Sequence, residues 1–224
     1  MARRPKPDPP APTPDADATA SRPLDEIREE AKACRRCPLW KRATQTVFGE
    51  GPPDADVVLV GEQPGDKEDL AGEPFVGPAG QLLRKALVEA GLDPHRVYLT
   101  NAVKHFKWVP RGTRRLHEKP NTAEVLACQL WLELELRSLA PRLIVAMGAT
   151  AVRSLLGPSG RVTRDRGRAH TREGGPPVLV TVHPSSILRV PDDASRREAY
   201  QSFVQDLKAA VPRRARAGSA HGRG

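Results

Sequence analysis

Cys34 and Cys37 stand in a C-x-x-C spacing, and the third and last cysteine, Cys128, lies far downstream. Thiolates bind soft metals, so this spacing suits zinc or an iron–sulfur group; a redox pair, or two small buried side chains, would look the same. Three thiols leave a tetrahedral zinc or a cubane cluster one ligand short, and His105, in "NAVKHFKW", is the best candidate for the fourth. A second concentration of chemistry is "RGTRRLHEKP" (residues 111–120), where His117 follows Arg114 and Arg115. A positive loop suits a phosphate backbone. The imidazole needs a reason of its own, and a solvated surface loop is the plain alternative.

The elements that must position these groups can be read from the pattern around them. Residues 24–36 have helical spacing, with Leu24, Ile27 and Ala31 on one side. "DVVLVG" (56–61), "RVYLTNAV" (96–103), "RLIVAMG" (142–148) and "PVLVTVHP" (177–184) are short apolar runs of the kind that form buried strands. Between and after them lie amphipathic helical stretches at 79–92, 122–139 and 194–210, and a short one at "ATAVRSLL". The long helix starts at a cap supplied by Asn121 or Thr122. Alternating strands and helices predict a three-layer α/β/α sandwich around a central four-stranded parallel sheet. Ligands of open α/β sheets bind at the carboxyl ends of the strands, so the loops after Gly61, Asn101, Gly148 and Val182 should carry the site.

The chain has 224 residues, enough for one domain (23–211) with tails. Residues 1–22 are rich in Pro, Ala and Asp and predict an extended arm; residues 212–224 predict a flexible basic tail. A net charge of +9 makes nucleic acid a candidate partner. No apolar run reaches membrane length and the N-terminus lacks the apolar core of a secretory signal, so a cytoplasmic protein with no membrane partner is expected. Three cysteines, an odd number, argue against a disulfide framework.

Four stretches, "GEQPGDKEDLAGEPFVGPAG" (61–80), "TNAVKHFK" (100–107), "IVAMGATA" (144–151) and "TVHPSSILR" (181–189), resemble the uracil-DNA glycosylase superfamily. The likeness is to its iron–sulfur branch, and within it to the UdgX group. It spans almost everything but the tails. The resemblance implies a [4Fe–4S] cluster on Cys34, Cys37, His105 and Cys128, with zinc the alternative metal. It implies a uracil pocket in which Phe75 stacks on an extruded base, Asn101 reads its edge and His183 stabilises the leaving group. Glu62 and Asp66 become the polar pair near the sugar, and Gln63 a substrate contact. Arg114, Arg115, Ser185 and Ser186 become contacts to DNA phosphate.

His117 matches the histidine with which UdgX-like proteins attack the sugar and stay attached. The chain departs from that group at Thr113 and Leu116, where lysine and isoleucine are usual. The expected partner is single-stranded uracil-containing DNA, bound by a monomer with no protein partner. A conventional turnover glycosylase and a non-catalytic DNA-binding module with a cluster are the competing readings.

Overall fold

The computed structural model describes residues 22–211. The Pro-rich arm expected at 1–22 and the basic tail expected at 212–224 lie outside the described residues, but for Arg22. In chain order the elements begin with α1 (Leu24–Lys32), β1 (Val57–Gly61), α2 (Asp66–Ala71), α3 (Pro78–Ala90) and β2 (Val97–Asn101). A hairpin of β3 (Trp108–Arg111) and β4 (Arg114–His117) precedes α4 (Thr122–Leu139) and β5 (Leu143–Met147). Then follow α5 (Ala149–Leu156), α6 (Val162–Asp165), β6 (Ala169–Arg172), β7 (Gly175–Thr181), α7 (Pro184–Leu188) and α8 (Asp193–Lys208).

The main sheet has the order β2-β1-β5-β7-β6. Its first four strands run parallel, and β6 is antiparallel to β7. These are the four apolar runs of the sequence. The fifth strand was not foreseen: at the sheet edge, Ala169–Arg172 stays partly exposed and so carries no apolar signal. Successive side chains of a strand face opposite sides, and the two cores follow that rule. Val58, Val60, Ile144 and Ala146 pack with Ile27 of α1, Leu132 of α4 and Val152 of α5. Val57, Leu59, Val145 and Met147 pack with Leu83 of α3 and Phe203 of α8. The expected three layers are the result.

The basic stretch expected as a loop is a β-hairpin. Arg111 pairs with Arg114 across a Gly112–Thr113 turn, and Gly112 has φ 58, the positive value a tight two-residue turn needs at its first position. The long helix begins at Asn121: the Asn121 side chain accepts from the Glu124 amide (2.9 Å) and the Glu124 carboxylate accepts from the Asn121 amide (2.7 Å). Among the described residues, no helix is long and apolar enough to cross a membrane.

Candidate active site

Gly61 and Asn101 are register partners at the carboxyl ends of β1 and β2. Gly148, after β5, donates its amide to the Thr181 carbonyl at the end of β7 (3.0 Å). The loops leaving these strands therefore open onto one cleft, a cavity of about 1000 Å³ lined among others by Glu62, Phe75, Asn101, His117 and His183. Sequence reasoning placed all five in the site.

Three of them converge on Gly61. A Cβ there would stand 2.4 Å from Asn101 Oδ1, 2.7 Å from Phe75 Cζ and 3.4 Å from His183 Nε2. Only a hydrogen fits between those groups. Phe75 is buried with φ 58, a left-handed conformation that costs a bulky residue about 1–3 kcal/mol and is typical of functional sites. Its ring faces that of His183 at 6.2 Å. Gly61→Ala is expected to lower catalysis in this cleft about 100-fold, because misplacement of about 1 Å in a preorganised site has that effect. Single-turnover kinetics would read the loss, and an unchanged rate would mean these groups do not act together.

His183 caps α7. Its Nδ1 faces the Ser185 amide (3.2 Å) and hydroxyl (2.8 Å), and the Ser186 hydroxyl donates to the His183 carbonyl (2.7 Å). Burial pushes its pKa down to about 4, so the ring is neutral at ordinary pH. With Nδ1 accepting the Ser185 amide, the ring proton sits on Nε2, the atom that shares the space beside Gly61 with Asn101 and Phe75. Ser185 and Ser186, expected on DNA phosphate, hold the histidine here.

The hairpin carries His117 to the edge of the same cleft. The β pleat puts Arg115 and His117 on one face and Arg114 on the other, so the two arginines cannot share one duty. Arg115 turns inward. Its Nε donates to Asp66 Oδ1 (2.5 Å), its guanidinium to Asp69 Oδ2 (2.6 Å), and it lies over the rings of Phe106 and Trp108. Arg115, expected on DNA phosphate, thus forms a clamp with two carboxylates, and Asp66 belongs to that clamp. Asp69, fully buried, also accepts from the Thr44 amide and hydroxyl; nothing in the sequence pattern singled it out. Gln63 closes the root of the hairpin. Its amide nitrogen donates to the Lys107 and Glu118 carbonyls, and its oxygen accepts from the Lys107 amide. Expected to touch the substrate, it lines the cavity but uses both amide protons on the backbone. Arg114 is exposed, and Lys67, Lys119 and Arg189 line the cavity as further cations that sequence reasoning missed.

His117 Nε2 lies 3.3 Å from Glu62 Oε1. Burial pushes the Glu62 pKa up, but hydrogen bonds with His117 and Thr150 outweigh it and hold the carboxyl below the usual carboxylate range. Glu62 is therefore an anion beside the imidazole.

The thiols belong to the core between the sheet, α1 and α4. Cys128 Sγ accepts from the Lys104 amide and Cys34 Sγ from the Trp131 indole, each at 3.1 Å. Such N–H···S bonds suit thiolates bound to a metal. Burial pushes the Cys128 thiol up to about 12 and also raises Cys37, so losing these protons requires a cation's charge. Burial, aided by Arg35, lowers the His105 pKa to about 4 and leaves a neutral ring, as a ligand must be. Its Nε2 sits 3.0 Å from the Thr46 hydroxyl. The donors fit a metal in kind. Among the described residues, no group of three His, Cys, Asp or Glu side chains is already arranged as a metal site.

The model of the Uracil DNA glycosylase superfamily matches residues 48–208. The chain is 38% identical over 189 residues to the Type-4 uracil-DNA glycosylase of Thermotoga maritima, covering 81% of this chain and 95% of that protein. It is 34% identical over 199 residues to the Type-4 uracil-DNA glycosylase of Sulfurisphaera tokodaii, covering 85% and 87%. A Type-5 uracil-DNA glycosylase of Thermus thermophilus is 35% identical over 147 residues, covering 59% of this chain and 62% of that protein.

Proposed function

We propose that this chain, which belongs to the uracil-DNA glycosylase superfamily, excises uracil from DNA and then captures the resulting sugar through His117. The observation that carries the capture reading is the His117–Glu62 contact in the cleft where Asn101, Phe75 and His183 converge.

An extruded uracil stacks on Phe75. The Asn101 amide offers an acceptor to N3–H and a donor to O4, a pattern that cytosine does not match. As the C1′–N1 bond breaks, its electron pair leaves on uracil, and the His183 Nε2–H stabilises the charge at O2. Cationic character at C1′ is stabilised by the Glu62 carboxylate. The His117 imidazole then forms the N–C1′ bond with its lone pair. The alkylated ring carries the positive charge beside Glu62 and is a poor leaving group without a well-placed water. Arg114, Lys67 and Lys119 are the exposed cations suited to DNA phosphates, and single-stranded DNA can reach this cleft without opening a duplex.

Cys34, Cys37, Cys128 and His105 would hold a [4Fe–4S] cluster. When bound there it would tie together the end of α1, α4 and the segment after β2. Iron and sulfide analysis with a visible spectrum tests it; a colourless, zinc-bearing protein would refute the cluster.

The test of function is a denaturing gel of the full chain with a single-stranded uracil oligonucleotide, beside a thymine control and a uracil duplex. A protein–DNA band that survives heat and detergent, with uracil only, is the expected result. Uracil release with no band would leave a turnover glycosylase. No release at all would overturn the pocket reading.

A further inference from the structure

The two oxygens of Glu62 have different partners. Oε1 faces His117 Nε2 at 3.3 Å, and Oε2 accepts a short hydrogen bond from the Thr150 hydroxyl. Thr150 is the second residue of α5 and only 5% exposed. Its β-branched side chain has few rotamers open to it in a helix, so the hydroxyl has a fixed place. Its own carbonyl is taken by Ser154.

We infer that Thr150 is a positioning residue for the capture step: its hydroxyl holds one Glu62 oxygen so that the other stays on the imidazole of His117. The inference rests on the capture reading above. A glutamate's terminal torsion is broad, and an unheld carboxylate samples many orientations. His117 sits on an exposed hairpin edge, so the carboxylate is what aims its ring. The capture step itself needs no other reactant. The imidazole lone pair forms N–C1′, the C1′–N1 pair leaves on uracil, and the positive ring remains next to Glu62. Freed from Thr150, Glu62 can turn and bind a water beside C1′. Attack by that water gives an abasic product in place of the adduct.

The charged and titratable groups that face Glu62 are His117 from β4 and His183 at the cap of α7, with Asp66, Lys67, Glu68, Lys119 and Arg189 along the same cavity. Removing the Thr150 hydroxyl removes one of the bonds that lower the Glu62 pKa. The limb of the capture profile at which Glu62 gains its proton must then move to higher pH.

The experiment compares the full chain with Thr150→Val and Thr150→Ser in single-turnover reactions on a single-stranded uracil oligonucleotide, across pH and with melting temperatures. For Thr150→Val, adduct per uracil released is expected to fall about tenfold, the effect of one hydrogen bond to a charged group. Its Glu62 limb is expected to shift upward, while Thr150→Ser behaves as the parent. An unchanged partition and limb in Thr150→Val would overturn the inference. So would equal losses in both variants that follow melting temperature, since that is a structural role. If the parent forms no adduct, the capture reading itself fails.

Discussion

His117→Ala is expected to abolish the covalent complex, by about 10³-fold or more, while uracil continues to be released at a slower rate. The groups proposed to bind and stabilise the departing base are Phe75, between α2 and α3, Asn101, at the end of β2, and His183, after β7. None depends on the imidazole for its place. His117 is exposed, so its removal leaves room for water rather than a dry cavity. The cation at C1′ then meets water beside Glu62 and hydrolyses. Gel bands and released uracil, measured on the same samples, check both halves. A band that persists would move the nucleophile elsewhere, and Glu62, the nearest carboxylate, would be examined first.

Lys104→Met is expected to destabilise the fold by about 3–5 kcal/mol. Lys104 and Glu135 form an ion pair in which both side chains are fully buried. Lys104 Nζ also donates to Thr100 Oγ1 (2.6 Å) and to the Asn101 carbonyl (2.8 Å). Glu135 further accepts from the Tyr98 hydroxyl, the Thr100 hydroxyl and the Gly49 amide. Removing the ammonium leaves a buried carboxylate without its counter-charge, the costly half of a broken pair. A chain of this size should lose roughly 6–20 °C in melting temperature. The double variant Lys104→Met with Glu135→Leu should recover only part, because Tyr98, Thr100 and Gly49 then lack an acceptor. A loss under about 1 kcal/mol in the single variant would mean that Glu135 takes up a proton or reaches water.

What the sequence disclosed follows from how each feature is encoded. The four parallel strands are legible because strands buried on both faces are uninterrupted apolar runs. The loops after them are legible because strand ends in such sheets are where sites form. The hairpin was hidden: its residues are charged, and Pro110 argues against a strand. Arg115 looked like Arg114 because two adjacent arginines differ only in which way the pleat turns them. Asp69 lies in a short, highly charged helix and Glu135 alternates with leucines beside the partly exposed Glu133, so nothing local marks either as buried. Thr150 reads as an ordinary first-turn helix residue. Its importance appears only when the end of β1 is seen beside the end of β5.

Gln63 grips the hairpin by backbone groups alone, the Lys107 amide and the Lys107 and Glu118 carbonyls. Backbone atoms are the same whatever side chains a segment carries. In evolutionary terms, the residues between those two points, apart from Arg115 with its hold on the buried Asp69, can vary in identity and number while the grip and the sheet beneath stay intact. The proposed nucleophile and the proposed base pocket therefore sit on parts of the molecule that can be revised separately. A lineage can gain or lose the power to hold its product without relearning how to recognise the base.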